Sequence, residues 1–308
     1  MQFYDFKEIE ERVILIGVQT EQDEDVAASL DELEELAATA GAVTVGKVIQ
    51  NREAVHPGTY IGKGKIEEVA ALLAAYDANG VICDDELSPA QMNNLERELD
   101  CKVMDRTLLI LDIFAGRAIT SEGKIQVELA QLRYRSARLV GLRESLSRLG
   151  GGIGTRGPGE KKLETDRRLI RTRISALKAE LAQVEKHRER IRGKRTRGNL
   201  KTAAIVGYTN AGKSTLLNTL TGAGILAEDK LFATLDPTTR VLELKDGQQI
   251  LLTDTVGFIR KLPHHLVEAF KSTLEEAKYA DYIIHVVDAS NPQAELHMHT
   301  VYETLREL

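Results

Sequence analysis

The alternation of apolar and polar positions predicts strands and helices in turn over the amino-terminal third of the chain. Short apolar runs predict four strands, at residues 13–18, 43–49, 80–83 and 102–104. Amphipathic segments between them predict three helices, at residues 26–40, 65–78 and 89–99, the last introduced by the capping pair Ser88-Pro89. Strands that alternate with helices are joined by helical crossovers and pair in parallel. We therefore predict a parallel α/β domain at residues 1–120.

The next segment has helical periodicity and no strand signal. An apolar stripe predicts one helix and consists of Ile125, Leu129, Leu132 and Leu139. A heptad-spaced seam predicts a second helix and consists of Leu163, Ile170, Ile174, Leu177, Leu181, Val184 and Ile191. Two such helices bury their stripes most simply against each other, which predicts an antiparallel, coiled-coil-like hairpin at residues 121–197. The loop between them has six glycines in residues 150–160 and is either a flexible connector or a backbone that approaches phosphate or RNA closely.

Basic residues concentrate in the hairpin although the whole chain is acidic. The net charge is −6, yet residues 131–200 carry 20 Lys and Arg against 7 Asp and Glu. A solvated helix surface is one explanation. We favour a polyanion-binding segment, because arginine, the better phosphate ligand, outnumbers lysine there by 15 to 5. The residues that we assign to RNA binding are Arg156, Arg188, Arg190, Arg192, Lys194, Arg195 and Arg197.

The composition is that of an ordinary globular protein and excludes several classes. With 43% hydrophobic and 29% charged residues, disorder and fibres are not expected. No apolar stretch approaches the length of a membrane span, and the acidic and aromatic first residues exclude a secretory signal. Cys83 and Cys101 cannot form a disulfide framework, and with no export signal we expect the reducing cytoplasm. We also expect a monomer without stable membrane insertion. The acidic residues 84–86 follow a predicted strand, and we expect a solvated strand end there, with contact to a ligand at the mouth of the first sheet as the alternative.

A phosphate-binding loop begins after the apolar run at residues 203–206. The sequence GYTNAGKS fits G-x-x-x-x-G-K-[ST], and a helical segment follows, as that motif requires. Glycines let the backbone wrap phosphates, Lys213 would reach the β- and γ-phosphates, and the Ser214 hydroxyl would coordinate Mg²⁺. The nucleotide-binding residues predicted here are Gly207, Tyr208, Thr209, Asn210, Ala211, Gly212, Lys213, Ser214 and Thr215.

Two further segments complete a nucleotide site of the GTPase type. A D-x-x-G segment follows the apolar run at 250–252 and consists of Asp254, Thr255, Val256 and Gly257. Asp254 is placed to bind the Mg²⁺ shell, through water, and the Gly257 amide can sense the γ-phosphate. Between the two motifs, residues 232–240 form a Thr-rich loop in the place of switch I, from which we assign Phe232, Ala233, Thr234, Leu235 and Asp236 to the nucleotide site. Thr234 is the first choice for the Mg²⁺ ligand, with Thr238 and Thr239 as alternatives.

These motifs together resemble the HflX family of translation-factor-class GTPases. The resemblance is carried by GYTNAGKST, FATLDPTTR and DTVGFI, and upstream by YIGKGKIEE, DRTLLILDIFA, KIQVELAQLRYR and SRLGGGIGTRGPGEKKLETDRR. It covers essentially the whole chain. It implies a ribosome-associated GTPase that uses GTP and Mg²⁺. It also implies that the α/β domain and the hairpin contact the large ribosomal subunit and its rRNA, in rescue or splitting of stalled ribosomes.

One departure from Ras-like GTPases concerns catalysis. Position 258, directly after D-x-x-G, is Phe, where Ras-like enzymes have a water-orienting Gln. A phenyl ring cannot orient water, so no catalytic residue is assigned and slow intrinsic hydrolysis is expected. The resemblance implies that the family shares this replacement and that the ribosome is the activator.

The second departure concerns the base. No Asn-Lys pair occurs in the 308 residues, so the N-K-x-D segment that recognises guanine is not found. We predict that residues 198–308 form a P-loop GTPase domain lacking its carboxy-terminal strands. This chain should then bind GTP weakly, hydrolyse it slowly and barely prefer it over ATP. Two alternatives stay open: an ATP-using RNA remodeller and a non-enzymatic rRNA-binding module.

Overall fold

The computed structural model describes most of the chain as two compact units. The described residues are 10–21, 25–149, 158–197, 200–222, 224, 230–262, 266 and 271–307, and their side chains are described except at 140–149, 158–163, 189, 191–197 and 271–273. One unit comprises Met1–Ile110 with Ala137–Gly154, and the other comprises Leu111–Ser136 with Thr155–Leu308.

A four-stranded parallel sheet forms the centre of the first unit. Its strands are β1 (Arg12–Gln19), β2 (Val43–Asn51), β3 (Gly80–Cys83) and β4 (Lys102–Asp105). The helices that connect them are α1 (Val26–Thr39), α2 (Lys63–Tyr76) and α3 (Pro89–Leu99). The strand order is β2-β1-β3-β4, and every pair is parallel. The predicted parallel α/β architecture is therefore confirmed. Helix α3 begins where Ser88-Pro89 predicted, with a capping box between Ser88 and Gln91.

A buried ion pair lies at the carboxyl end of β3. The Asp84 carboxylate is fully buried and accepts hydrogen bonds from Arg106 Nη2 at 2.7 Å and from Ser29 Oγ at 2.8 Å. Arg106 also pairs with Glu32. The prediction of a solvated strand end is thus wrong for Asp84. Removing one partner of such a pair leaves a buried charge without compensation, which typically lowers the free energy of unfolding by about 3–5 kcal/mol.

Arg106 begins helix α4 (Arg106–Arg117), for which the sequence pattern gave no prediction, and two much longer helices follow. These are α5 (Ser121–Leu149) and α6 (Pro158–Arg197). Within the second unit they are joined by ion pairs between Arg173 and Glu128, at 2.7 Å, and between Arg188 and Glu122, at 3.1 Å. The pairing runs in opposite chain directions, as an antiparallel hairpin requires. No helix in the described part of the chain is both long and apolar enough to cross a membrane.

The apolar positions of the hairpin were predicted well for α6 and less well for α5. Leu177, in the middle of the heptad seam, is fully buried, and its described seam neighbours are half-buried. In α5 only Leu129 of the predicted stripe is fully buried, and the other apolar side chains buried there are Val127, Ala130 and Tyr134. The buried face of α5 is therefore rotated from the predicted stripe.

A second four-stranded sheet forms the centre of the second unit. Its strands are β5 (Lys201–Gly207), β6 (Thr238–Glu243), β7 (Gln249–Asp254) and β8 (Tyr282–Val286), in the order β6-β7-β5-β8. The helices around it are α7 (Lys213–Thr221), α8 (Lys271–Lys278) and α9 (Ala294–Arg306). Strand β5 pairs in parallel with β7 and β8, and β6 pairs antiparallel with β7. The predicted loop at 232–240 is therefore too long, because a strand begins at Thr238.

Gly207 ends β5 at a point that leaves no room for a side chain. A Cβ atom there would lie 2.4 Å from the backbone oxygen of Val286 on β8. We expect Gly207→Ala to lower the free energy of unfolding by about 1–3 kcal/mol, because a backbone atom cannot move aside without disturbing the strand pairing. Urea-induced unfolding measures this loss.

The matched control is Gly64→Ala, since a Cβ at Gly64 in α2 has no described atom within 4 Å. There alanine should stabilise by up to about 1 kcal/mol, because it is the better helix former. Equal effects of the two substitutions would contradict the proposed crowding at Gly207.

Candidate nucleotide-binding site

A polar cleft lies at the carboxyl ends of β5 and β7. Open α/β sheets bind ligands at this edge. The cleft combines the loop after β5, the start of α7, the loop before β6 and the D-x-x-G segment. Its lining residues are Thr209, Asn210, Gly212, Lys213, Ser214, Thr215, Lys230, Phe232, Ala233, Thr234 and Gly257.

The loop after β5 presents a buried lysine and the open end of a helix. Asn210 and Gly212 have positive φ angles of 58° and 89°, and α7 begins at Lys213 with no side-chain cap. Its first amide groups are thus available to an anion. Lys213 is 5% exposed, and its Nζ donates to the backbone oxygen of Tyr208 at 2.7 Å. Burial lowers the pKa of Lys213 to about 8, although the charge of Asp254 opposes this. A bound phosphate would supply the negative charge that favours the ammonium form.

Three oxygen-bearing side chains from separate segments meet beside Lys213. Ser214 Oγ donates to Asp254 Oδ2 at 2.6 Å, and Thr234 Oγ1 donates to the same oxygen at 3.1 Å. The two hydroxyl oxygens are 2.9 Å apart. The structure therefore brings together the three residues that the sequence suggested as Mg²⁺ ligands.

Asp254 is the centre of this group and is suited to a cation. Its carboxylate is fully buried, and its Oδ1 atom has no hydrogen-bond partner among the described residues. Burial raises the pKa of Asp254, against hydrogen bonds from Ser214 and Thr234 and the charge of Lys213. An unsatisfied buried carboxylate oxygen beside two hydroxyls is a hard oxygen donor set of the kind that Mg²⁺ prefers. The residues present thus fit the ion.

The other two threonines considered for this role lie elsewhere. Thr238 begins β6, and Thr239 Oγ1 lies 2.9 Å from Thr253 Oγ1 across the β6–β7 pair. Thr238 lies opposite Asp254 in the β6–β7 pair. Of the three alternatives, Thr234 is the one with described hydrogen bonds to Ser214 and Asp254.

The D-x-x-G segment is hydrogen-bonded directly to the loop after β5. Phe258 N donates to the Gly207 oxygen at 3.1 Å, and Thr209 N donates to the Phe258 oxygen at 2.7 Å. A Cβ at Gly257 would lie 2.6 Å from Thr209 Cα, so only glycine allows this approach. The Phe258 side chain is 1% exposed and packs into the interior. The position of the water-orienting Gln in Ras-like enzymes therefore offers no polar group to the cleft.

Tyr208 fixes the residues that follow D-x-x-G, a role that its place in the motif did not indicate. Its hydroxyl accepts a hydrogen bond from Arg260 N at 2.9 Å. Its ring stacks on His297 of α9, with ring centres 3.7 Å apart and planes 3° from parallel.

Several predicted nucleotide-binding residues lie outside the cleft lining. They are Gly207, Tyr208, Ala211, Leu235, Asp236, Asp254, Thr255 and Val256. Leu235 and Val256 are buried, and the Thr255 hydroxyl donates to the Ile205 oxygen at 2.7 Å. Asp236 is bonded to residues before α5. For Leu235, Asp236, Thr255 and Val256, contact with the nucleotide therefore stays a prediction that the cleft lining does not support. Lys230, which lines the cleft, was missed because it precedes the recognised motif.

The residues assigned to RNA binding are only partly described. Arg188 is engaged with Glu122, and Arg190 is exposed. Arg156 lies outside the described residues. The remaining members lie in α6, but their side chains are not described; they are Arg192, Lys194, Arg195 and Arg197. RNA binding stays a prediction.

Comparison with known proteins identifies the family. Residues 27–115 match a family model described as GTP-binding GTPase N-terminal, residues 117–195 its middle region, and residues 202–307 a 50S ribosome-binding GTPase. GTPase HflX of Lacrimispora saccharolytica is 75% identical over 304 residues, which are 99% of this chain and 72% of that protein. This chain belongs to the HflX family of GTPases. GTPase HflX of Escherichia coli is 49% identical, over 97% of this chain and 70% of that protein.

Solved structures agree with this membership of the HflX family. A GTP-binding protein from Sulfolobus solfataricus in complex with GDP is 27% identical, with a TM-score of 0.51, over 96% of this chain and 78% of that chain. A further SsGBP–GDP complex gives 28% identity and a TM-score of 0.55 over the same shares. The predictions of an HflX fold and of a GTP hydrolase are thus confirmed. The division at residues 120 and 197 into three domains stays a prediction.

Proposed function

We propose that this HflX GTPase is a molecular switch that docks on the large ribosomal subunit with GTP and Mg²⁺ bound and is released after hydrolysis, in rescue or splitting of stalled ribosomes. The observation that carries the proposal is the meeting of Ser214, Thr234 and Asp254 beside Lys213. Because these residues come from three segments, a bound ligand that contacts all three would stabilise the assembled site over a state in which the segments separate. Such a difference is what a switch requires.

The chain's own residues divide the work of binding. Lys213 and the first amides of α7 bind the phosphates, and Gly257 lines the cleft beside them. Ser214 and Thr234 would hold Mg²⁺ directly, and Asp254 would hold it through water. When bound, this ion neutralises charge on the β- and γ-phosphates.

Slow hydrolysis in isolation follows from Phe258. Its apolar side chain is buried, so a water molecule in the cleft would lack the usual orienting side chain from this segment. A partner that arranges this water accelerates the reaction, and we propose that the large ribosomal subunit is this partner. The description of the family model that matches residues 202–307 supports the choice.

The charge of the hairpin supports contact with rRNA. Residues 131–200 carry 20 basic against 7 acidic residues in a chain whose net charge is −6. Neutralising phosphates with such residues releases counterions, so the affinity depends steeply on salt.

Co-sedimentation with isolated 50S subunits tests this function. We expect more of the chain to pellet with Mg²⁺ and the non-hydrolysable GTP analogue GMPPNP than with GDP, and binding to fall as salt rises. Charge reversal at Arg190, Arg192 and Arg195 should weaken binding and flatten its salt dependence by about one unit of log–log slope per lost phosphate contact.

The control reverses two basic residues outside the hairpin, Lys245 and Arg306. It should leave the salt slope unchanged. Equal pelleting with GMPPNP and GDP would argue against a nucleotide switch, and an unchanged slope in the hairpin variant would assign its arginines to a solvated surface.

A further inference from the structure

The loop that carries Thr234 is attached at one end to α4 and at the other end to the residues just before α5. On one side, Phe232 packs edge-on against Phe114 of α4, with ring centres 4.7 Å apart and planes at 79°. On the other side, the Asp236 carboxylate accepts hydrogen bonds from Ile119 N at 2.8 Å and Thr120 N at 2.9 Å, and from the Thr120 hydroxyl. Thr234 lies midway between these attachments.

The Asp236 contact completes the cap of α5. Thr120 Oγ1 accepts a hydrogen bond from Gly123 N at 2.9 Å, as a helix-capping hydroxyl does, while its own proton is donated to Asp236. The carboxylate thus satisfies the two backbone amides just before the helix. A negative charge at this end is also favoured by the helix dipole.

Gly123 makes the close approach of Asp236 possible. A Cβ atom there would lie 2.4 Å from Asp236 Oδ1 and 3.2 Å from Thr120 Oγ1. Glycine within a helix costs up to about 1 kcal/mol relative to alanine. The contact therefore relies on a residue that is unfavourable for the helix itself.

The other attachment holds a strained backbone. Phe232 has a φ of 54°, a conformation that bulky residues rarely adopt. Its backbone amide donates to Thr209 Oγ1 at 2.8 Å, and its side chain is 2% exposed. Such strain persists only where the surroundings hold the residue in place, and it concentrates at ligand clamps and switches.

We propose that Asp236 and Phe232 are positioning residues, which hold Thr234 in place for Mg²⁺·GTP by fastening its loop to the start of α5 and to α4. Mg²⁺·GTP binding and the α5 cap then stabilise each other, because coupling between two sites is reciprocal. Helix α5 is the first helix of the hairpin, and ion pairs of Glu128 with Arg173 and of Glu122 with Arg188 join it to α6. A change at the α5 cap would therefore be transmitted to the hairpin. This inference rests on the proposed function, in which Thr234 is a Mg²⁺ ligand.

Nucleotide affinities of the whole chain test the coupling. In Gly123→Ala and in Thr120→Val, the affinity for Mg²⁺·GMPPNP should fall about 2- to 30-fold, the range expected for losing a helix cap. The affinity for Mg²⁺-free GDP, which does not use Thr234, should stay within about twofold. The matched control is Gly116→Ala in α4, where an added Cβ meets no described atom within 4 Å, and both affinities should remain unchanged.

Hydrogen exchange on the unaltered chain is the second measurement. The amides of Ile119 and Thr120 should exchange more slowly with Mg²⁺·GMPPNP bound than with GDP bound. This measurement does not depend on whether any variant folds. Equal losses for both ligands, no loss in either variant, or equal exchange in both states would overturn the inference. An unaltered chain that binds Mg²⁺·GMPPNP no better than Mg²⁺-free GDP would instead count against the proposed function.

Discussion

Replacing Lys213 with alanine is expected to lower the affinity for GTP by roughly 30-fold to 4,000-fold. The Lys213 ammonium is buried at the floor of the cleft, where water cannot take its place against a phosphate. Truncating one partner of a buried charge pair costs about 2–5 kcal/mol, and each 1.4 kcal/mol is about tenfold in affinity. Isothermal titration with GTP and Mg²⁺ measures the loss.

A second lysine of the same cleft provides the control. Lys230 lines the cleft but is exposed, so Lys230→Ala removes a screened charge. Exposed pairs contribute up to about 1 kcal/mol, which corresponds to a change of about fivefold or less. If both variants bound GTP as tightly as the unaltered chain, the assignment of residues 207–214 as a phosphate-binding loop would be wrong.

The Asp254→Asn variant should keep its fold and lose the response to Mg²⁺. Asparagine still accepts the Ser214 hydrogen bond, and the change removes a carboxylate that burial already penalises. The free energy of unfolding of the nucleotide-free chain should therefore change little, because relief of the burial penalty at Asp254 opposes the loss of a negative charge beside the buried Lys213. The gain in GMPPNP affinity on adding Mg²⁺ should be lost, by about 100-fold if the ion contributes about 3 kcal/mol through this residue.

Titrating Mg²⁺ at fixed GMPPNP, together with urea unfolding, separates binding from stability. The control is Asp246→Asn, in the exposed turn before β7, where the acceptor for Gln248 N is kept and the same charge is removed. A Mg²⁺ response that survives in Asp254→Asn would place the ion elsewhere. A large loss of stability would make Asp254 a structural residue instead.

The nucleotide site was predictable to the extent that its parts are contiguous in sequence. The geometry of the segment from Gly207 to Ser214 can be predicted from its sequence alone, because its glycines, lysine and hydroxyl act within one short loop. The choice of Thr234 over Thr238 and Thr239 depended on where β6 begins, and this depends on pairing with β7 rather than on local pattern. The contact between Thr239 and Thr253, on two different strands, cannot be predicted until that register is known.

Long-range polar contacts were not predictable at all. Asp236 bonds to Thr120, 116 residues earlier in the chain, and Asp84, after β3, bonds to Arg106, after the neighbouring strand β4. From the sequence, Asp236 was assigned to the nucleotide site and Asp84 to a solvated strand end. Nothing in their neighbours along the sequence indicates the partner, because the fold alone brings the two segments together.

The path of the chain at Phe258 limits how a faster enzyme could evolve from this sequence. Both backbone groups of Phe258 are bonded to the loop after β5, and this pairing directs the side chain into the interior. A glutamine introduced there would bury an amide, at a cost of about 1–3 kcal/mol if it found no partner, and would not reach the cleft. Glutamine at position 258 therefore offers no route to rapid unaided hydrolysis, and a water-orienting group would have to come from another segment or from a partner.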